Sequence, residues 1–140
     1  MASQIRLRIV SADRSLVDEL VDEVEIPGAG GYLGVLPNHT PLLAQLGTGE
    51  LWYRTGAHVE YLALAFGFAE VLPDRVTILA EMAERAGEID VARATAAKQR
   101  AEERLARPPA EMDYERARVA LMKALIRLQV AERMSSRARQ

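Results

Sequence analysis

Residues 27–43 read P-G-A-G-G-Y-L-G-V-L-P-N-H-T-P-L-L, and this stretch limits the fold more than any other. Gly28, Gly30, Gly31 and Gly34 can take positive φ, while Pro27, Pro37 and Pro41 fix φ and withhold a donor. A segment punctuated this way cannot be one helix or one long strand. It reads as turns joining short extended pieces, with Leu33, Val35, Leu36, Leu42 and Leu43 as their apolar residues. It is not a phosphate loop: Leu33 stands where the third glycine of G-x-G-x-x-G would be, and no Gly-Lys-Ser/Thr follows. On composition alone the stretch is a structural corner of a β-sandwich.

The strands that such a corner would join are visible on both sides. Gln4–Val10 alternates Ile5, Leu7 and Ile9 against Arg6 and Arg8. After a turn at Ser11–Arg14, Leu16–Val17 and Val21–Ile26 read as short strands. Beyond the corner, Gly49–Arg54 and His58–Ala65 form a hairpin across Thr55-Gly56-Ala57, and Gly67–Leu72 and Arg75–Ala80 form a second across Pro73-Asp74. Many short strands at this spacing predict a β-sandwich or flattened barrel.

Near Ala83 glycine nearly vanishes, and alanine, arginine and glutamate take over. Asp90 can cap a helix over Val91–Ala106, a segment rich in alanine, the best helix former. Arg107-Pro108-Pro109-Ala110 stops it. Asp113 is the second cap, and Tyr114–Met134 is the longer helix, with Tyr114, Ala117, Leu121, Ala124, Leu125 and Leu128 in one stripe. The short linker predicts an antiparallel hairpin, weakly held because alanine faces bury little area. The tail Ser135–Gln140 is expected to be disordered. The fold class is thus α+β: a β-sandwich over residues 1–84, then a two-helix hairpin over 85–140.

Function classes are narrowed by what the chain lacks. Its 140 residues suit one domain or a compact domain with an appendage. The longest apolar run, Tyr61–Ala69, is broken by Gly67 and is far short of the roughly 20 residues of a membrane span. The N-terminus has no apolar signal core, so the expectation is a soluble chain in its compartment of synthesis. There is no cysteine, and His39 and His58 have no clustered partners, which argues against disulfides and metal sites. A net charge of −2 with mixed signs argues against nucleic acid. No nucleophile elbow or H-E-x-x-H is present. His39, between Asn38 and Thr40, reads as a turn residue, and Glu23 and Glu25 as a solvated strand face.

One charge pattern stands out in the helices. Arg116, Lys123 and Arg127 lie within roughly 40° on the second helix, and Arg93 and Arg100 share a face of the first. The plain reading is solvated surface. The sharper one is an anion site between helices, since the planar arginine fork suits phosphate.

Four motifs in order resemble one family. They are Gly31–Leu43 (G-Y-L-G-V-L-P-N-H-T-P-L-L), Ala65–Ala80 (A-F-G-F-A-E-V-L-P-D-R-V-T-I-L-A), A-E-R-A at Ala83–Ala86, and I-D-V-A-R-A at Ile89–Ala94. Together they resemble the epsilon subunits of F-type ATP synthases over nearly the whole chain. The resemblance implies a non-catalytic central-stalk subunit that couples proton flow to ATP synthesis, peripheral on the cytoplasmic face of a bacterial membrane. It implies that the sandwich binds the gamma subunit and the c-ring, with Tyr32, Leu33, His39 and Leu42 in the interface region. Tyr32 stands where many relatives carry an acidic residue.

The resemblance also implies that the hairpin folds down or extends along gamma to reach the alpha and beta subunits and inhibit hydrolysis. No cofactor is required, and ATP is a regulatory ligand in some relatives. The matching positions are Glu84, Ile89, Asp90, Arg93, Ala94, Arg100, Arg116, Lys123 and Arg127, with Lys123 replacing an arginine of the best-known binders. The rival from another class is a free-standing adaptor whose hairpin recognises a partner helix; a small enzyme is the third, disfavoured by the missing constellation.

Overall fold

A computed structural model describes residues 3–138, with side chains as far as residue 134. The chain divides into two compact units, Met1–Arg85 and Ala86–Gln140.

The first unit is a sandwich of seven strands: β1 (Ile5–Ser11), β2 (Ser15–Val21), β3 (Glu23–Gly28), β4 (Gly31–Val35), β5 (Leu42–Thr55), β6 (His58–Val71) and β7 (Arg75–Arg85). They hydrogen-bond in the order β2-β1-β7-β6-β5-β3-β4. β1 and β7 run parallel, and all other neighbours are antiparallel. This single ribbon becomes two layers because its long strands bend. Between β5 and β6 the register is constant, but Gly47 and Phe66 are left unpaired between Leu46↔Gly67 and Thr48↔Ala65. At that gap Phe66 has φ 60° and Gly67 φ 123°. A Cβ at Gly67 would collide with the Leu79 carbonyl oxygen, so only glycine fits. The bend lets β2 reach β5 across the core.

The core follows the expected alternation. Ile5, Leu7 and Ile9 of β1, with Val76 and Ile78 of β7, lie in one cluster with Val24, Ile26, Leu51, Tyr53, Leu62 and Leu64. Each is fully or almost fully buried, which is worth about 1.5–3 kcal/mol per large side chain.

Several expected boundaries shift. β5 begins at Leu42, not Gly49, because its first residues, Leu42–Leu46, pair with Gly67–Val71 of β6. The two strands expected at His58–Ala65 and Gly67–Leu72 are one, since backbone pairing continues on both sides of the bend. The break between β2 and β3 falls at Asp22, so Val21 ends one strand rather than opening the next. Of the apolar residues expected to be buried in the Gly- and Pro-rich stretch, Val35 is buried and Leu33 packs against the core; Leu36, Leu42 and Leu43 are exposed.

The second unit opens with a 3-10 turn at Ala86–Glu88, followed by α1 (Val91–Ala106) and α2 (Tyr114–Ala138). The Asp90 carboxylate accepts from the Arg93 N–H at 3.0 Å, and Asp113 accepts from the Arg116 N–H at 3.1 Å, so both expected caps form. α1 packs along α2, and α2 packs on the 3-10 turn, where the Met134 methyl lies 3.7 Å from the position of a Cβ at Gly87. The end of α2 therefore lies beside the start of α1, and the pair is antiparallel. Ala94 and Ala101, with Ala117 and Ala124, are buried. Tyr114 and Leu125 are not: they sit roughly 60–80° off the Ala117 direction. The expected disordered tail is corrected in part, because helical backbone hydrogen bonding carries α2 to Ala138; residues 139–140 lie outside the described residues.

Candidate functional site

Two surfaces carry the features that could do work. The first is on the sandwich. Tyr32 of β4 is 58% exposed, yet its hydroxyl accepts a long hydrogen bond, 3.4 Å, from the Glu50 N–H. Leu33, two pairs from the β3–β4 turn, is half-buried against the core and so offers little to a partner. His39 is half-exposed, with Nδ1 donating to the Thr40 carbonyl at 2.7 Å. Its neighbour Asn38 has φ 67° and donates its N–H to the Pro73 carbonyl at 2.7 Å, which ties this turn to the β6–β7 turn. Leu42 is exposed at the start of β5.

Sequence reasoning missed the stronger apolar feature nearby. Register places Phe68 of β6 between Gln45 of β5 and Leu79 of β7, with Val10 of β1 next to Leu79. In the adjacent row Leu43 stands opposite Glu70. Phe68 is 55% exposed, Leu79 57% and Leu43 72%. These side chains cross three strands on the face opposite the core. The available signal was the alternation of β7: Val76, Ile78 and Ala80 face in, so Leu79 is an apolar residue on the outward set.

The second surface is on the hairpin. Arg93, Arg100 and Arg116 are exposed, and Lys123 and Arg127 are half-buried. At 100° per residue, Arg93 and Arg100 sit about 100° from the buried Ala94 and Ala101. Arg116, Lys123 and Arg127 sit about 100° from the buried Ala117 and Ala124, in the same winding sense. In an antiparallel pair, equal offsets of the same sense point to the same side. The structure thus brings all five cations to one side of the hairpin. Among the described residues Arg93, Arg100, Arg116 and Lys123 have no carboxylate partner. Ile89 is half-buried just before the cap, Asp90 is occupied as the cap, and Ala94 is buried in the helix contact. Glu84 lies on β7, in the other unit, opposite Ala63.

Among the described residues no group of three His, Cys, Asp or Glu side chains could hold a metal. No described helix is long and apolar enough to cross a membrane.

Comparison with known proteins accounts for both units. Residues 4–86 match the family described as "ATP synthase, Delta/Epsilon chain, beta-sandwich domain", and residues 88–132 match "ATP synthase, Delta/Epsilon chain, long alpha-helix domain". The chain belongs to the ATP synthase epsilon family. The ATP synthase epsilon chain of Syntrophobacter fumaroxidans is 51% identical over 133 residues, 95% of this chain and 99% of that one. That of Koribacter versatilis is 55% identical over 105 residues, 75% of this chain and 74% of that one. A chain in the cryo-EM structure of the Euglena gracilis mitochondrial ATP synthase, described as OSCP/F1/c-ring in rotational state 1, superposes with a TM-score of 0.79 at 27% identity. The match covers 94% of this chain and 82% of that one. As an epsilon chain, this protein is a non-catalytic central-stalk subunit of ATP synthase, in the service of ATP synthesis and ion transport.

Proposed function

We propose that this epsilon chain couples proton flow to rotation through its sandwich and restrains ATP hydrolysis through its hairpin, which answers to ATP. The partners are those that the family resemblance implies. The sandwich engages gamma with the outward face of Val10, Leu43, Phe68 and Leu79, and the c-ring with residues 27–43. The assembled complex holds it at the cytoplasmic face of the membrane.

The observation that carries the regulatory part is the convergence of Arg93, Arg100, Arg116, Lys123 and Arg127 on one side of the helix pair. Five like charges on neighbouring helices repel one another, and a polyphosphate relieves that repulsion only while the helices stay paired. ATP therefore has a higher affinity for the paired hairpin than for a separated one, and this difference is what shifts a population. Alanine contacts between α1 and α2 keep the gap between two packings small, because each buried alanine removes little apolar area from water. An extended hairpin that reaches the alpha and beta subunits is the inhibitory state, and ATP opposes it.

Calorimetric titration of ATP into the wild type and into Arg127→Ala tests the ligand. Losing a charged hydrogen bond should weaken binding by about tenfold to a hundredfold. Lys123→Arg should tighten it, because a fork replaces a point charge. ATP hydrolysis by the assembled complex, with the full chain and with a chain ending at Gly87, tests the brake. No heat at millimolar ATP, or equal inhibition by both chains, removes the corresponding role.

A further inference from the structure

The stretch 27–43 contains no Asp, Glu, Lys or Arg, in a chain whose charged residues make up 27%. Tyr32 ties the β4 part of this stretch to the sheet. Between Glu25↔Trp52 and Gly28↔Leu46 the β3–β5 register breaks, so β5 has no registered β3 partner over residues 47–51. The Glu50 N–H lies in that gap, and it donates to the Tyr32 hydroxyl at 3.4 Å. The phenol comes from β4, the edge strand beyond β3, where Tyr32 pairs with Pro27. It fills the space over Gly49: a Cβ there would lie 2.7 Å from Tyr32 Oη and 2.6 Å from Pro27 Cβ. One side chain thus spans β4 to β5 across the place where the ladder is open. The Ala29 N–H, bonded to the Gln45 carbonyl at 2.8 Å, pins the tip of the β3–β4 turn to the same strand.

We infer that Tyr32 is a positioning residue: its phenol braces β4 against β5 and so holds the uncharged 27–43 stretch in the shape that docks on the c-ring. The docking half rests on the function proposed above. Tyr32 acts here through the loop it braces, and the contact it supports makes no ion pair from this stretch. An unbraced edge strand would sample many conformations, and docking would carry the cost of ordering it.

The experiment uses the full chain. Hydrogen exchange of the free protein is measured for wild type, Tyr32→Ala and Tyr32→Phe, and affinity for epsilon-depleted ATP synthase is measured at low and high salt. Tyr32→Ala should speed exchange of the Glu50 amide and of the 31–35 amides at least tenfold, with protection of β1 and β7 unchanged. It should weaken docking at least tenfold, with the same salt dependence as wild type. Tyr32→Phe keeps the packing over Gly49 and should restore most of the docking and of the 31–35 protection, while the Glu50 amide, which loses its acceptor, stays fast. Unchanged exchange with weakened docking would make Tyr32 a direct contact and overturn the brace. Faster exchange with unchanged docking would overturn the positioning role. Failure of the wild type itself to dock would remove the docking reading, while the exchange result would still decide whether the brace exists.

Discussion

The Arg85 guanidinium donates to the Tyr53 hydroxyl at 3.2 Å and, from its other terminal nitrogen, to the Leu16 carbonyl at 2.8 Å. The last residue of β7 is thereby tied to β5 and to β2, three strands that the ribbon order does not make mutual neighbours. Burial pushes the Tyr53 phenol above its ordinary value, and the Arg85 hydrogen bond opposes that shift only in part. A raised phenol favours the neutral form in the folded state. The associated stability is fully present below the ordinary value of about 10 and is lost as pH rises through the folded value. Urea midpoints should therefore fall above about pH 10. Arg85→Met should cost about 1–3 kcal/mol at neutral pH, because the Tyr53 hydroxyl and the Leu16 carbonyl each lose a donor. Denaturation of the variant at pH 7 measures this.

The acid limb has a different origin. Asp22 stands in the break between β2 and β3, and its carboxylate accepts from the Gly56 N–H at 2.6 Å and from Gln4 at 3.2 Å. Arg54 reaches it at 3.3 Å. The Gly56 hydrogen bond first, then that of Gln4, hold its carboxyl below the usual range against the opposing effect of burial, with a lesser help from the Arg54 charge. A lowered carboxyl contributes stability above its ordinary value of about 3.9, lost as pH falls through the folded value. Wild type should lose midpoint between pH 5 and 3, and Asp22→Asn should flatten part of that slope. An unchanged slope would assign the acid limb to other carboxylates.

Gly67 is the position where substitution should do most damage. It combines φ 123° with a Cβ site occupied by the Leu79 carbonyl. Gly67→Ala must move β7 or flatten the bend, at a cost on the order of 3 kcal/mol. Gly30→Ala, at a position with open space, should change stability by roughly 0.5 kcal/mol or less. Thermal melts of the two variants compare a crowded glycine with an open one.

Phe68 and Leu79 form a cross-strand pair exposed on the outward face. Phe68→Asp should leave stability within about 0.5 kcal/mol, since exposed sites rarely affect folding more. It should weaken assembly with the ATP synthase complex by at least tenfold, because aromatic anchors dominate interfaces. Co-sedimentation with epsilon-depleted complex, alongside a melt, separates the two effects. Normal assembly by a well-folded variant would remove this face from the interface.

Local chemistry was readable in the chain itself. Asp90 and Asp113 were legible as caps because the carboxylate and the amide it accepts from are three residues apart. Gly56 was legible as a turn, and Pro108-Pro109 as a helix stop, because each acts on its own backbone. The motif around Ile89–Ala94 pointed to the family for the same reason, as did the stretch 31–43. What only the tertiary structure decided depends on partners distant in sequence. The extent of β5 and the continuity of β6 through Phe66–Gly67 follow from hydrogen bonds between strands, which override the break that glycine suggests locally. The outward patch of Leu43, Phe68 and Leu79 exists through cross-strand register, and a shift of one residue would turn each to the other face. The common side of Arg93 and Arg127 needs the antiparallel docking of two helices. The bond from Arg85 to Leu16 spans 69 residues of chain, and no local pattern encodes a pairing that folding itself creates.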